Sequence, residues 1–253
     1  MTEIIALFNQ SGGVGKSTLT MNLGYQLSFL SKRVLLIDID PQASLTIFMG
    51  LEPNELERTI YHAIVKEEPL PMIDAHGIKL CPSDIVLAGA EYELASDGLR
   101  DLRLKNALES VRDDYDFILI DCPPSLGMLT TMTLHCATHI LIPAQVEYKC
   151  WRATQLVLET VINVRKRSNR KLIIKGFIPT MYTPNLKEHA KGLAAIQSLS
   201  AVAPVFPAIP RRAAFVQASG ARQPLAVHSR QCDAVAILDQ ICGLMCAENK
   251  VLC

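Results

Sequence analysis

The chain has 253 residues, 49% hydrophobic and 20% charged, a composition that excludes a disordered protein and can bury roughly 70–75% of the unfolded surface. Its 25 Lys+Arg and 25 Asp+Glu cancel, which excludes a uniformly basic nucleic-acid binder. Residues 1–150 nevertheless carry 11 basic and 20 acidic side chains and residues 151–253 carry 14 and 5, a split of −9 and +9 that points to an anionic partner for one surface.

In chain order, the apolar run Ile4–Phe8 predicts a first strand, followed by a glycine-rich turn and a helix over Ser17–Leu30. Val34–Ile37 is a second buried strand ending at Asp38. Phe117–Ile120 and Ile140–Ile142 are further strands, with a helical segment Leu126–Cys136 between them. A long helical pattern over Cys150–Arg167 precedes the strand Leu172–Ile178, and Val235–Cys246 has helical spacing. Short strands apolar on both faces, alternating with helices, predict an α/β fold: one doubly wound domain over residues 1–253, its mostly parallel sheet covered by helices on both faces.

Between the first strand and helix lies Ser11-Gly12-Gly13-Val14-Gly15-Lys16-Ser17-Thr18. Such a loop aims backbone N–H groups at phosphates and adds the partial positive charge of a helix N-terminus. Glycines permit φ > 0 and close approach. Lys16 supplies a charge toward the β and γ phosphates, and the Ser17 hydroxyl is placed to ligate Mg²⁺. Carboxylates at the C-terminal ends of apolar strands project into the crevice where such sheets bind ligands. Asp121 can therefore hold Mg²⁺ through water, with Asp38 supporting from a neighbouring strand. The absence of an N-K-x-D string favours ATP over GTP.

The loop departs from G-x-x-x-x-G-K-[ST], having Gln10 where glycine is expected, and resembles the deviant K-G-G-x-G-K-[ST] form of the ParA/MinD family of partition and positioning ATPases. The resemblance extends along the chain. Leu35-Leu36-Ile37-Asp38-Ile39-Asp40-Pro41-Gln42 resembles the family's switch I. Phe117 through Asp121, with Cys122-Pro123-Pro124-Ser125, resembles its Walker B strand and switch II. Ile209-Pro210-Arg211, then Ser219-Gly220 and Pro224, resembles its adenine-side and DNA-side loop. The resemblance implies a P-loop ATPase that uses ATP and Mg²⁺ and forms a homodimer with ATP. It implies that Asp40 orients or activates the attacking water and that Pro210 lies against the nucleotide.

The family's first signature lysine reaches the partner's nucleotide across the dimer; here that position is Ser11. Either ATP is bound and poorly hydrolysed, or another cation substitutes for one that stabilises the developing phosphate charge. Lys149, following Ile142-Pro143-Ala144-Gln145-Val146-Glu147-Tyr148, is the candidate substitute, with Arg152 in reserve. The absent lysine is similar to the McdA-type ATPases, which distribute carboxysomes over the nucleoid, and implies that cargo with a cargo-bound adaptor protein.

The basic half includes Arg165-Lys166-Arg167, Arg170, Lys171, Lys175, Lys187, Lys191, Arg211, Arg212, Arg222 and Arg230. Non-specific double-stranded DNA needs such charges and no base-reading side chains, and by resemblance Lys187, Arg211, Arg212 and Arg222 are the leading candidates.

A membrane role is disfavoured, since the final apolar helix has no basic face and no run approaches the ~18–20 residues of a span. The N-terminus lacks a signal-peptide pattern, and eight dispersed cysteines read as reduced thiols, so a cytoplasmic, nucleoid-associated protein is expected. Plasmid or chromosome partition, an inert nucleotide-binding scaffold and an iron–sulfur relative are the competing readings; the last lacks the paired cysteine motifs.

Overall fold

A computed structural model describes residues 2–147 and 150–247, the side chains of residues 150–153 excepted. Its strands are β1 (Glu3–Leu7), β2 (Val34–Asp38), β3 (Ile73–Ala75), β4 (Ile78–Cys81), β5 (Phe117–Asp121), β6 (His139–Gln145) and β7 (Ile173–Thr180). They form one sheet in the order β3-β4-β2-β5-β1-β6-β7. Every pairing is parallel except β3 with β4, a hairpin at the sheet edge. The expected mostly parallel α/β sheet is therefore present, and the edge hairpin is an addition to it.

The helices are α1 (Lys16–Phe29), α2 (Ser44–Phe48), α3 (Ile60–Val65), α4 (Ala90–Glu93), α5 (Arg103–Glu109) and α6 (Met128–Cys136) in the first half. The second half adds α7 (Cys150–Arg167), α8 (Lys187–Gln197), α9 (Ala213–Gly220), α10 (Leu225–His228) and α11 (Asp233–Cys246). Strand side chains alternate between two cores, as the two-residue pleat requires. Ile4, Ala6, Leu35, Ile37, Ile118 and Ile120 pack with Ile60, Leu104, Leu129 and Val157 on one face. Ile5, Leu7, Leu36, Phe117 and Leu119 pack with Leu19, Leu23, Ala218, Leu238 and Ile241 on the other. Burial on both faces explains why these strands read as continuous apolar runs.

Two contacts fix the frame around the strand ends. A Cβ on Gly24 would lie 2.5 Å from Leu36 Cδ2, so α1 sits directly on β2. At the opposite side, a Cβ on Gly192 would lie 1.8 Å from the Val146 carbonyl oxygen, so α8 seats against the exit of β6. Among the described residues no helix is long and apolar enough to cross a membrane. The six described cysteines are free, with Cys81, Cys122 and Cys242 buried.

Candidate nucleotide site

The phosphate loop leaves β1 through Asn9, which is fully buried. Its Nδ2 donates to Pro143 O at 2.7 Å and its Oδ1 accepts from Ser11 N at 3.0 Å. Gly13 (φ 73°) and Gly15 (φ 92°) take left-handed backbone that other residues adopt at a cost. A Cβ on Gly12, Gly13 or Gly15 would meet nothing within 4 Å, so the loop encloses open space. Gly15 starts α1 without a side-chain cap, leaving the helix's first N–H groups available to an anion. Thr180 Oγ1 donates to Val14 O at 3.0 Å, tying the end of β7 to the loop.

Lys16 is buried, and its Nζ donates to the carbonyls of Asn9 (3.4 Å) and Ser11 (3.3 Å). Burial lowers its pKa, opposed first by the charge of Asp121. Ser11 thus lies beside Lys16 through its backbone, its side chain too short to serve as the family's signature lysine. Lys149 lies outside the described residues, as does the side chain of Arg152.

Asp38 and Asp121 are partners in the β2–β5 register, both wholly buried. Asp38 Oδ2 accepts from Thr46 N (2.9 Å) and Thr46 Oγ1 (2.8 Å), and its Oδ1 accepts from Asp40 N (3.1 Å). Burial raises its pKa to about 7 against the pull of those bonds. Asp121 is different: neither oxygen has a well-formed hydrogen bond, the Ser17 hydroxyl alone approaching it as a donor. Burial and then the charge of Asp38 raise its pKa well above the carboxylate range, opposed by Ser17 and Lys16. A buried carboxylate with free lone pairs, facing a serine hydroxyl, is a donor set suited to a hard divalent cation. The residues therefore fit Mg²⁺, which Ser17 and Asp121 would hold. Asp38, expected to support that duty, accepts its hydrogen bonds from Asp40 and Thr46. Asp40 Oδ1 accepts from Gln42 N at 3.0 Å.

Beyond the phosphate loop opens a cleft of about 690 Å³. Gly15 and Thr18 form one wall, Ile47 and Phe48 of α2 another, and Ile209, Pro210, Phe215 and Val216 the far side. Tyr182 N donates to Ile209 O and Arg211 N to Tyr182 O, both at 2.9 Å, so Pro210 is held alongside the continuation of β7. Its volume and apolar walls suit a purine base, which needs flat apolar contact with few polar groups. Pro210, expected to lie against the nucleotide, lines this cleft. Asn9, Thr46, Phe48 and Thr180 were not anticipated; for Asn9, its position between strand and glycine loop was the available signal.

Arg211, Arg212 and Arg222 line the mouth of the same cleft. Arg211 is exposed. Arg212 is paired with Asp233 (Nε–Oδ1 2.9 Å, NH2–Oδ2 2.5 Å) and Arg222 with Glu52 (2.5 Å). Lys187 is exposed at the start of α8. Lys175, counted with the basic half, is a correction: it is buried and bonded to Glu3 at 2.6 Å, so it presents no charge to a partner.

The chain is similar to known proteins along most of its length. A family model described as an AAA domain matches residues 2–174. The sporulation initiation inhibitor protein Soj of Bacillus subtilis is 44% identical over 185 residues, 72% of this chain and 73% of its own. The chromosome-partitioning ATPase Soj of Treponema pallidum is 34% identical over 236 residues, 92% of each chain. Among solved structures, apo McdA of Cyanthece has a TM-score of 0.87 at 27% identity, covering 97% of this chain and 100% of that one. A cobyrinic acid a,c-diamide synthase from Mycobacterium smegmatis, with an ATP analogue and magnesium bound, has a TM-score of 0.86 at 30% identity, covering 96% and 93%.

Proposed function

The chain belongs to the ParA/MinD family of ATPases, and on that premise we propose that it is an ATP-switched dimer that grips DNA and positions a cargo over the nucleoid. The observation that carries this reading is the cleft itself. One continuous hollow is walled by the phosphate loop (Gly15, Thr18) and by the arginines suited to DNA phosphates (Arg211, Arg212, Arg222). In this reading nucleotide and DNA lie on two sides of one structural element.

In this reading the N–H groups of Ser11–Thr18 and the Lys16 ammonium hold the phosphates of ATP, and Pro210 lies against the adenine. Ser17 and Asp121 hold Mg²⁺, which when bound neutralises charge on the phosphate oxygens. Asp38 keeps the Asp40–Thr46 segment in place, and Asp40 orients the attacking water. Lys149, contributed across the dimer, supplies the cation that Ser11 lacks. ATP favours the dimer because the dimer makes contacts with ATP that the free chain does not. Two copies then present basic surfaces to double-stranded DNA together, raising affinity over one copy. Hydrolysis is slow until a cargo-bound adaptor protein stimulates it, and the dimer leaves the DNA. The working location is the cytoplasm, on the nucleoid, with no membrane partner.

Ser11 supports carboxysomes as the cargo, as does likeness to McdA over the whole chain. A chromosome or plasmid partition complex is the second reading, favoured by the 44% identity to Soj. Binding of the purified protein to a random-sequence duplex at fixed salt tests the switch. It is expected only with ATP, to be absent in Lys16→Ala, and to fall steeply with salt. Nucleotide-independent binding overturns the switch. Deleting the gene and imaging carboxysomes and replication origins separates the two cargoes.

A further inference from the structure

Resting on the reading above, we propose that Glu91 is a positioning residue for ATP hydrolysis: it caps α6 from outside and so fixes the segment Cys122–Gly127 that continues from Asp121. α6 begins without the usual devices. Gly127 supplies no side-chain cap, and the first turn holds no acidic residue. A helix N-terminus leaves N–H groups unpaired and favours a negative charge beside them. Glu91 of α4 supplies both acceptor and charge from 37 positions away, its Oε1 accepting from Met128 N at 2.7 Å. The backbone beside it is shaped for the same contact. Gly127 has φ −84° and ψ −170°, a conformation open to any residue, so no turn demands glycine here. A Cβ at this position would lie 2.7 Å from Glu91 Oε1. Glycine leaves the room that the carboxylate fills.

α4 is itself firmly seated. Ala90 is wholly buried and Leu94 nearly so, both in the core that packs Ile118 and Ile120 of β5. Glu93 Oε1 accepts from Tyr61 Oη at 2.7 Å, and its Oε2 pairs with Lys66 Nζ at 3.2 Å. Two glutamates on one short helix thus face two neighbours: Glu93 fastens α4 to α3, and Glu91 fastens α6 to α4.

What α6 holds lies next to the chemistry. Asp121 ends β5, and Cys122 N donates to the carbonyl of Leu7, the last residue of β1, at 3.3 Å. That bond fixes the near end of the segment beside the departure of the phosphate loop. Pro123 and Pro124 have no N–H to donate, so the course of the segment depends on its far end. There Thr130 Oγ1 donates to Ser125 O at 2.7 Å and Thr131 Oγ1 to Gly127 O at 3.0 Å. Holding the start of α6 therefore holds Ser125 and Gly127 with it. Glu91 is exposed and acts through α6, not on the nucleotide.

The test compares variants at both ends of the contact by ATP turnover with Mg²⁺, by binding of a fluorescent ADP, and by hydrogen exchange of residues 123–131. Glu91→Ala should lower kcat by about tenfold, within the up to about 100-fold that an error of about 1 Å in position costs. Its ADP affinity should match wild type, and its Met128 amide should exchange faster. Glu91→Gln keeps an acceptor oxygen and should keep most of kcat and of the exchange protection. Gly127→Ala should reproduce Glu91→Ala, because its Cβ takes the place of the carboxylate, and combining the two should add little. Wild-type kcat in Glu91→Ala, equal losses in Glu91→Gln and Glu91→Ala, or additive losses in the double variant overturn the positioning role and leave the ATPase reading standing. A fall in ADP affinity in step with turnover reduces Glu91 to a structural residue and overturns it as well. Wild-type protein that hydrolyses no ATP overturns the reading it rests on, and the role with it.

Discussion

Asp38 and Asp121 stand opposite each other in the register of β2 and β5, equally buried, yet one is held by three hydrogen bonds and the other by no well-formed one. Asp38 takes hydrogen bonds from Thr46 and Asp40, while Asp121 has no well-formed hydrogen bond and faces only the Ser17 hydroxyl as a donor. Two neighbouring carboxylates have been divided by their surroundings between holding the chain and holding a ligand. Leaving a buried carboxylate unsatisfied is costly, and a divalent cation relieves that cost.

Magnesium with nucleotide should therefore stabilise the protein beyond nucleotide alone. At a ligand concentration near 100 Kd, mass action gives about 2.7 kcal/mol. Thermal unfolding with ADP, in EDTA and in excess Mg²⁺, measures the metal-dependent part. Asp121→Asn should erase that increment and abolish hydrolysis. An increment that survives in Asp121→Asn would place the metal elsewhere.

Thr46 links two segments through one hydroxyl: Oγ1 donates to Asp38 Oδ2 at 2.8 Å and accepts from Ser83 N at 2.9 Å. Thr46→Val keeps the shape and leaves a buried donor without its partner, which costs about 1–3 kcal/mol. Thr46→Ser keeps the hydroxyl and should lose under about 1 kcal/mol. Urea unfolding of the two variants checks this. Equal losses would mean that the methyl group, not the hydroxyl, is what matters.

The phosphate loop, the strand-end aspartates and most of the sheet were legible because each leaves a local pattern: glycines where φ is positive, and apolar runs where both faces are covered. The β3–β4 hairpin was not, since strands of three and four residues hold too little alternation to stand out. Nor could the fate of individual basic residues be read. Lys175 meets Glu3 across 172 positions and Arg212 meets Asp233 across 21. A charge split of −9 and +9 marks a tendency of the halves, while ion pairs between distant segments decide which cations stay free. Thr46 escaped notice for the same reason: its value lies in Ser83, which a later strand delivers.

Two helical glycines should respond oppositely to alanine. Gly192 has no room, its Cβ meeting the Val146 carbonyl at 1.8 Å, whereas a Cβ on Gly243 of α11 meets nothing within 4 Å. Gly192→Ala must push α8 off β6 and should cost about 1–3 kcal/mol or more. Gly243→Ala should gain about 0.5–1 kcal/mol from helix propensity alone. Denaturant midpoints of both variants decide it, and matching signs would contradict the packing described.

His139 gives the fold a pH dependence at the end of the sheet away from the nucleotide. Burial lowers its pKa from 6.5, Glu3 opposing and Lys175 adding to the shift. The unfolded chain therefore binds a proton that the folded chain resists, so stability is present above pH 6.5 and lost as pH falls through the folded value. His139→Gln should flatten stability across that window relative to wild type. If the difference between the two proteins is constant from pH 5 to 7.5, the histidine does not contribute.

Ser11 and Lys149 allow the proposed exchange of cations to be tested as a pair. Serine at position 11 lies against Lys16 through its carbonyl and offers no charge to a partner's nucleotide. If Lys149 carries the role instead, Lys149→Ala should retain binding of a fluorescent nucleotide but lose both hydrolysis and ATP-dependent dimerisation. A developing phosphate charge left without such a cation typically costs 10³–10⁵ in rate, so the loss should be large against the basal turnover. Adding Ser11→Lys to Lys149→Ala should then restore part of the activity, because it returns the cation to the position where the family carries it. Mixing Lys149→Ala with a hydrolysis-dead Lys16→Ala chain separates contacts within a subunit from contacts across the dimer. Wild-type hydrolysis and dimerisation in Lys149→Ala would remove Lys149 from the mechanism, and Arg152→Ala would be the next variant to make.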